Sequence, residues 1–176
     1  MNIKKIGMIL WKSLLYTQRV VMIVAGSVTA LIVFGQLVLR EVGRPFAGYE
    51  EYLLLFAFWM YMMGSSHGSY EKSQITADIL NRILKGRAKA ILQVVASILT
   101  FVLCLIFAYW AFTLVQWSLS TKAVSSIHGI PVVWGQASIF VGLVVSSVYN
   151  FVYMIRDVME ALGRPAIAPA AGLREV

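Results

Sequence analysis

Residues 90–119 read AILQVVASILTFVLCLIFAYWAFTLVQWSL, 30 consecutive positions without Asp, Glu, Lys or Arg. The hydrocarbon of a bilayer is crossed by about 20 apolar residues in a helix. At a rise of about 1.5 Å per residue this run reaches about 45 Å, so it is expected to tilt or to project beyond the hydrocarbon. Three more runs flank it. Residues 20–39 carry no charge and are bordered by Arg19 and Arg40. Residues 52–69 open strongly with Leu53, Leu54, Leu55 and Phe56 and close weakly in Gly64, Ser65, Ser66 and His67. Residues 132–155 form the last. Isolated glycines within the runs are no objection, because membrane helices tolerate them. The reading is an all-α integral membrane protein with four transmembrane helices.

The 176-residue composition agrees: 60% of residues are hydrophobic and 13% charged, against about a quarter charged in a soluble domain. The formal charge of +7 is a topology signal rather than a nucleic-acid surface, since no basic segment alternates with exposed aromatics. Before the first run stand Lys4, Lys5, Lys12 and Arg19. Between the second and third stand Lys72, Arg82, Lys85, Arg87 and Lys89, and after the fourth Arg156, Arg164 and Arg174. The intervening connections hold Arg40, Arg44 and Lys122. The split of twelve against three places both termini in the cytoplasm by the positive-inside rule.

Residues 1–163 read as one membrane domain, and 164–176, rich in Ala and Pro, as a disordered tail. Ile3, Ile6, Leu10 and Leu14 recur at helical spacing apart from the lysines. Ile75, Ile79, Ile83 and Leu84 do the same beside Arg82, Lys85 and Lys89. Two amphipathic interfacial helices are expected there, with Lys4, Lys5, Lys12, Arg82, Lys85 and Lys89 toward anionic lipid. An ordinary solvated loop helix is the alternative for the second. The run at 20–39 is too long for a signal-peptide core and is followed by charged Arg40 and Glu41.

The chemistry is informative by what is missing. The four apolar cores contain no Asp, Glu, Lys or Arg, whereas ion-coupled carriers keep such groups at membrane depth. No span has a mid-helix proline, and no broken helix of the carrier type is evident. Cys104 is the only cysteine, so no disulfide or thiolate metal site is available. His67 and His128 do not both lie within spans, which argues against a haem. No catalytic, cofactor or metal residue is expected, and a partner-dependent subunit is the natural reading. Ser138, Gly142, Ser146 and Asn150 repeat every four residues and form a small, polar stripe suited to close helix contact. It serves either a partner or the chain's own helices. Gly26 with Ala30, and Gly64 with Gly68, are shorter versions. Phe101, Phe107, Tyr109, Trp110 and Phe112 suit lipid or a partner rather than a cofactor. In the connection after the first run, Glu50 and Glu51 either favour the helix N-terminus or meet a partner.

Arg40, Gly43, Arg44, Pro45, Phe46, Glu50 and Glu51 match, in order and spacing, the loop of the small, DctQ-like membrane subunit of tripartite ATP-independent periplasmic (TRAP) transporters. Residues 74–79, QITADI, resemble that family's segment after span two, with Gln74 where histidine and Tyr70 where arginine is usual. Gly129, Ile130 and Pro131, with Trp134 beyond, resemble its entry to span four. The resemblance covers about residues 15 to 155. It implies a bacterial inner-membrane complex with a large membrane subunit that binds sodium and substrate, and a periplasmic binding protein that delivers an organic acid. This chain would be the scaffold, with Arg40, Arg44, Glu50, Glu51, Ser138, Gly142 and Ser146 as candidate partner contacts. A stand-alone four-helix protein, either a small exporter or a redox anchor, is the alternative from a different class. It would need an embedded carboxylate or facing haem ligands.

Overall fold

The computed structural model describes residues 3–71 and 87–162. They form four helices, α1 (Ile3–Glu41), α2 (Tyr49–Glu71), α3 (Arg87–Thr121) and α4 (Val133–Ala161), with no strands among the described residues. An isolated antiparallel bridge joins Val124 to Pro131. Three stretches are long and apolar enough to cross a membrane: Trp11–Glu41, Ala90–Thr121 and Val133–Ala161. The second helix has 23 residues, about 34 Å at the helical rise. Its far half, Gly64, Ser65, Ser66, His67, Gly68 and Ser69, dilutes its hydropathy.

The helix ends follow local chemistry. The last turn of α1 is closed by Val42 N–H to Val38 O at 3.2 Å and Arg44 N–H to Leu39 O at 2.9 Å. Pro45, with its fixed φ and no N–H to offer, prevents continuation. In the first turn of α2 lie Glu50 and Glu51, where the helix dipole favours anions. Pro131 stands one residue before the N-cap Val132 of α4, outside the helix, so its missing N–H removes no helical hydrogen bond.

The amphipathic stretch at the N-terminus is not a separate element: α1 runs unbroken for 39 residues, about 58 Å. Its early turns carry Trp11, Leu15 and Gln18 into the protein, and this packing keeps them in line with the span. The second expected amphipathic segment, with Gln74, Arg82 and Lys85, lies outside the described residues, as does the tail 164–176.

Extended contacts join α1 to α2, α2 to α4 and α4 to α3. The spatial order is therefore α1–α2–α4–α3, with the third and fourth helices exchanged relative to the chain. The two short connections, 42–48 and 122–132, share one end of the molecule, called here the loop end. Large apolar side chains such as Ile23, Leu31 and Phe34 on α1 and Ile98, Phe107 and Trp110 on α3 are exposed. That pattern suits a protein whose solvent is lipid, since soluble monomers rarely expose so large an apolar surface.

Candidate functional site

At the loop end, Glu51 reaches from the first turn of α2 into the α3–α4 connection. Its Oε1 accepts Ile127 N–H at 2.8 Å. Its Oε2 accepts Ser125 Oγ–H at 2.7 Å and His128 N–H at 2.9 Å, and the His128 ring Nδ1 lies 3.2 Å away. Ser125 Oγ in turn accepts Ile130 N–H at 3.0 Å. The connection is shaped for this by Ser125 N–H to Ile130 O at 2.8 Å and Val132 N–H to Ala123 O at 3.0 Å. Desolvation by the surrounding loop disfavours the charged carboxylate, but the hydrogen bonds from Ser125, Ile127 and His128 outweigh it and lower the Glu51 pKa from 4.5 to about 2. Hydrogen bonds to the charged form act in this direction.

The α1–α2 connection closes onto the same cluster. Gly48 has φ +80°, and a Cβ there would stand 2.4 Å from His128 Cε1 and 2.8 Å from Ile127 Cγ2. Only glycine offers both the left-handed backbone and the room. The His128 ring sits edge-on to Tyr52 (5.0 Å between centroids) and Phe46 (5.7 Å), and Phe46 stacks on Tyr52. Gln36 Oε1 of α1 accepts Phe46 N–H at 2.9 Å. Both connections are thus one unit, fastened by Gln36 of α1 and by Glu51 and Tyr52 of α2. Around it Arg40, Arg44 and Glu50 are exposed, together with the apolar Val42, Phe46 and Ile127. Below the cluster, Leu54, Phe58, Leu114 and Ile139 help line an open apolar pocket of about 370 Å³.

Farther from the loop end, polar groups are buried where α1, α2 and α4 meet. Gln18, 2% exposed, donates from Nε2 to Ser66 Oγ at 2.7 Å and accepts Tyr149 OH at 2.7 Å. Trp11 and Tyr70 pack on the Tyr149 ring, at 4.9 and 5.6 Å between centroids. Tyr153 OH donates to Tyr70 O. Asp157 on α4 is buried, accepts the Ser97 hydroxyl of α3 and lies 3.8 Å from Arg156 Nη2.

The small stripe of α4 meets α2 of the same chain. At Gly142 a Cβ would come within 2.9 Å of Met62 Cβ and 3.0 Å of Met62 O. Ser146 Oγ accepts Ser69 Oγ–H at 3.4 Å, buried Ser138 bonds its own helix at Gly135 O, and Asn150 Nδ2 donates to Cys104 Sγ of α3 at 3.4 Å. At Gly26 of α1 a Cβ would stand 3.3 Å from Met60 Sδ, whereas at Gly64 it would meet open space. Phe101 packs on Phe151 and Phe112 on Phe140, while Phe107, Tyr109 and Trp110 are exposed. His67 lies 3.4 Å from Glu71, one turn on. Lys12 is exposed on α1; Lys4 and Lys5 lie in α1 and Lys89 in α3. Sequence reasoning missed Gly48, Ser125 and Gln18. Only Gly48 carried a signal, as a glycine just ahead of a helix.

Among the described residues no group of three or more His, Cys, Asp or Glu is placed to hold a metal ion. The fold and these sites define a helical membrane protein with a fastened loop end and a hydrogen-bonded helix core. The family model described as Tripartite ATP-independent periplasmic transporters, DctQ component, matches residues 29–160, and the chain belongs to that family. It is a family of transporter components, not of enzymes. No individually curated protein matches the chain.

Proposed function

We propose that this chain is the static scaffold subunit of a sodium-coupled TRAP transporter that imports an organic acid. It would stand in the bacterial inner membrane beside a large membrane subunit that binds sodium and substrate, with no cofactor of its own. All four helices cross the bilayer in this reading, with both termini in the cytoplasm and the loop end facing the periplasm, where a binding protein delivers the solute. Family membership supplies the setting. The observation that carries the scaffold role is how the buried polar groups are used. Gln18 spends both ends of its amide on Ser66 and Tyr149, and Asp157 is engaged by Ser97. These side chains hold helices together instead of waiting for an ion, as a coupling site would. The length of α2 and its place between α1 and α4 support a fourth span despite its lower hydropathy. A stand-alone exporter or redox anchor has no observation in its favour.

The test is reconstitution. Liposomes holding this chain alone should accumulate no organic acid under a sodium gradient, whereas liposomes holding it with the large subunit should do so when binding protein is added. Uptake by the chain alone would overturn the scaffold role.

A further inference from the structure

Glu50 and Glu51 are neighbours in sequence but not in surroundings. Glu50 is exposed, while the Glu51 side chain is 14% exposed and is committed to Ser125, Ile127 and His128 across the α3–α4 connection. The α1–α2 connection does not bond Glu51 through its own backbone beyond the helix turn. It is held against the same segment by the contact at Gly48 and the ring cluster of Phe46, Tyr52 and His128. Without Glu51, two backbone N–H groups and a hydroxyl lose their acceptor, and the segment that carries Ile127 and His128 is released. His128 is the wall against which the α1–α2 connection rests, so both connections loosen together. The connections and the helix ends beside them expose apolar Val42, Phe46 and Ile127 and charged Arg40, Arg44 and Glu50, the two kinds of group from which a surface that receives a soluble protein is built. A surface of this kind binds in proportion to how well it is preorganised.

We propose that Glu51 is a positioning residue for docking: it locks the two connections into one outward-facing unit that seats the periplasmic binding protein, and it touches none of that protein itself. This rests on the reading of the chain as the small subunit of a TRAP transporter. The partner's contacts fall instead to the exposed residues, so Glu50 and Glu51 have different roles.

The experiment uses the complex of this chain with its large subunit in lipid nanodiscs. Affinity for the binding protein and amide hydrogen exchange are measured for the wild type, Glu51→Ala, Ser125→Ala and the double variant. Expected are exchange at Ile127, His128 and residues 42–48 at least tenfold faster in Glu51→Ala, and affinity about tenfold weaker. Ser125→Ala, which removes one donor of the lock and leaves the carboxylate in place, should weaken affinity about threefold. The double variant should be no worse than Glu51→Ala, since both act through one structure. Glu51→Gln, which keeps one acceptor oxygen, should fall between wild type and Glu51→Ala. Three results overturn the proposal: unchanged exchange in Glu51→Ala, unchanged affinity in Glu51→Ala, or losses that multiply in the double variant, which would mean direct contact with the partner. If the wild-type complex binds no binding protein, the docking role of this face is overturned together with the functional reading. Failure of the positioning role alone leaves wild-type binding intact.

Discussion

Glu51 gathers hydrogen bonds from Ser125, Ile127 and His128, and this gives the loop end a defined response to acid. The folded pKa of about 2 lies below the ordinary 4.5, so the ionised form is favoured by folding. The stabilisation is complete above pH 4.5 and is lost as pH falls from there through the folded value near 2. Exchange at the Ile127 and His128 amides, relative to amides in the middle of α4, should therefore rise across that window and stay level above it. Glu50, in contrast, is exposed, and in the proposed docking role its charge would steer the encounter. Glu50→Lys should lower the rate of binding-protein association more at low than at high ionic strength, because exposed charges steer encounter and are screened by salt. Stopped-flow association at two salt concentrations checks this, with assembly of the membrane pair unchanged. Gln18 sits in lipid-surrounded protein, where interhelical hydrogen bonds are worth about 1–2 kcal/mol at most. Gln18→Leu strips Tyr149 and Ser66 of their partner and should lower the thermal unfolding temperature in detergent. Its pairing with Tyr149 lies 131 positions away along the chain, so no local pattern announced it.

At the level of elements, four charge-free runs made the helices legible because lipid demands long apolar stretches and leaves little else to decide. Their bounds grew in the structure for a physical reason. The first charge-free run begins at residue 20, but α1 carries Trp11, Leu15 and Gln18 inward well before it, since a helix need not stop where lipid does. The stripe on α4 was legible as a contact surface but not in its destination. A period of four fixes a face, while the face's neighbour depends on the order of packing, and here Gly142 and Ser146 meet α2 while Asn150 meets α3. The consequence is testable at Gly142. Gly142→Ala already drives a Cβ into Met62 and its carbonyl, and Gly142→Leu adds bulk that forces the helices apart. Overpacking of this kind costs about 1–3 kcal/mol, so thermal stability should fall in the order wild type, Ala, Leu. Equal stability of all three would show that α2 and α4 do not approach as described.

For the whole molecule, orientation was read from charge alone. A reporter active only in the periplasm should work when fused near Gly48 or Ser126 and fail near Gly86 or after Gly163, as the uneven distribution of Lys and Arg requires. Activity at Gly86 would reverse the orientation and put the fastened connections in the cytoplasm. The order of the helices could not be read from the sequence, because four apolar helices of similar length can neighbour one another in several ways. The observed order, α1–α2–α4–α3, divides the chain into two antiparallel hairpins, 3–71 and 87–162, that meet along α2 and α4. During synthesis the first hairpin can enter the membrane as a unit before the second has left the ribosome, and its α2 face waits for α4 to arrive. The two halves are therefore complementary pieces, joined among the described residues by contacts that include Met62 against Gly142, Ser69 against Ser146 and Glu51 against the later connection. Made as separate polypeptides in one cell, they should find each other and copurify.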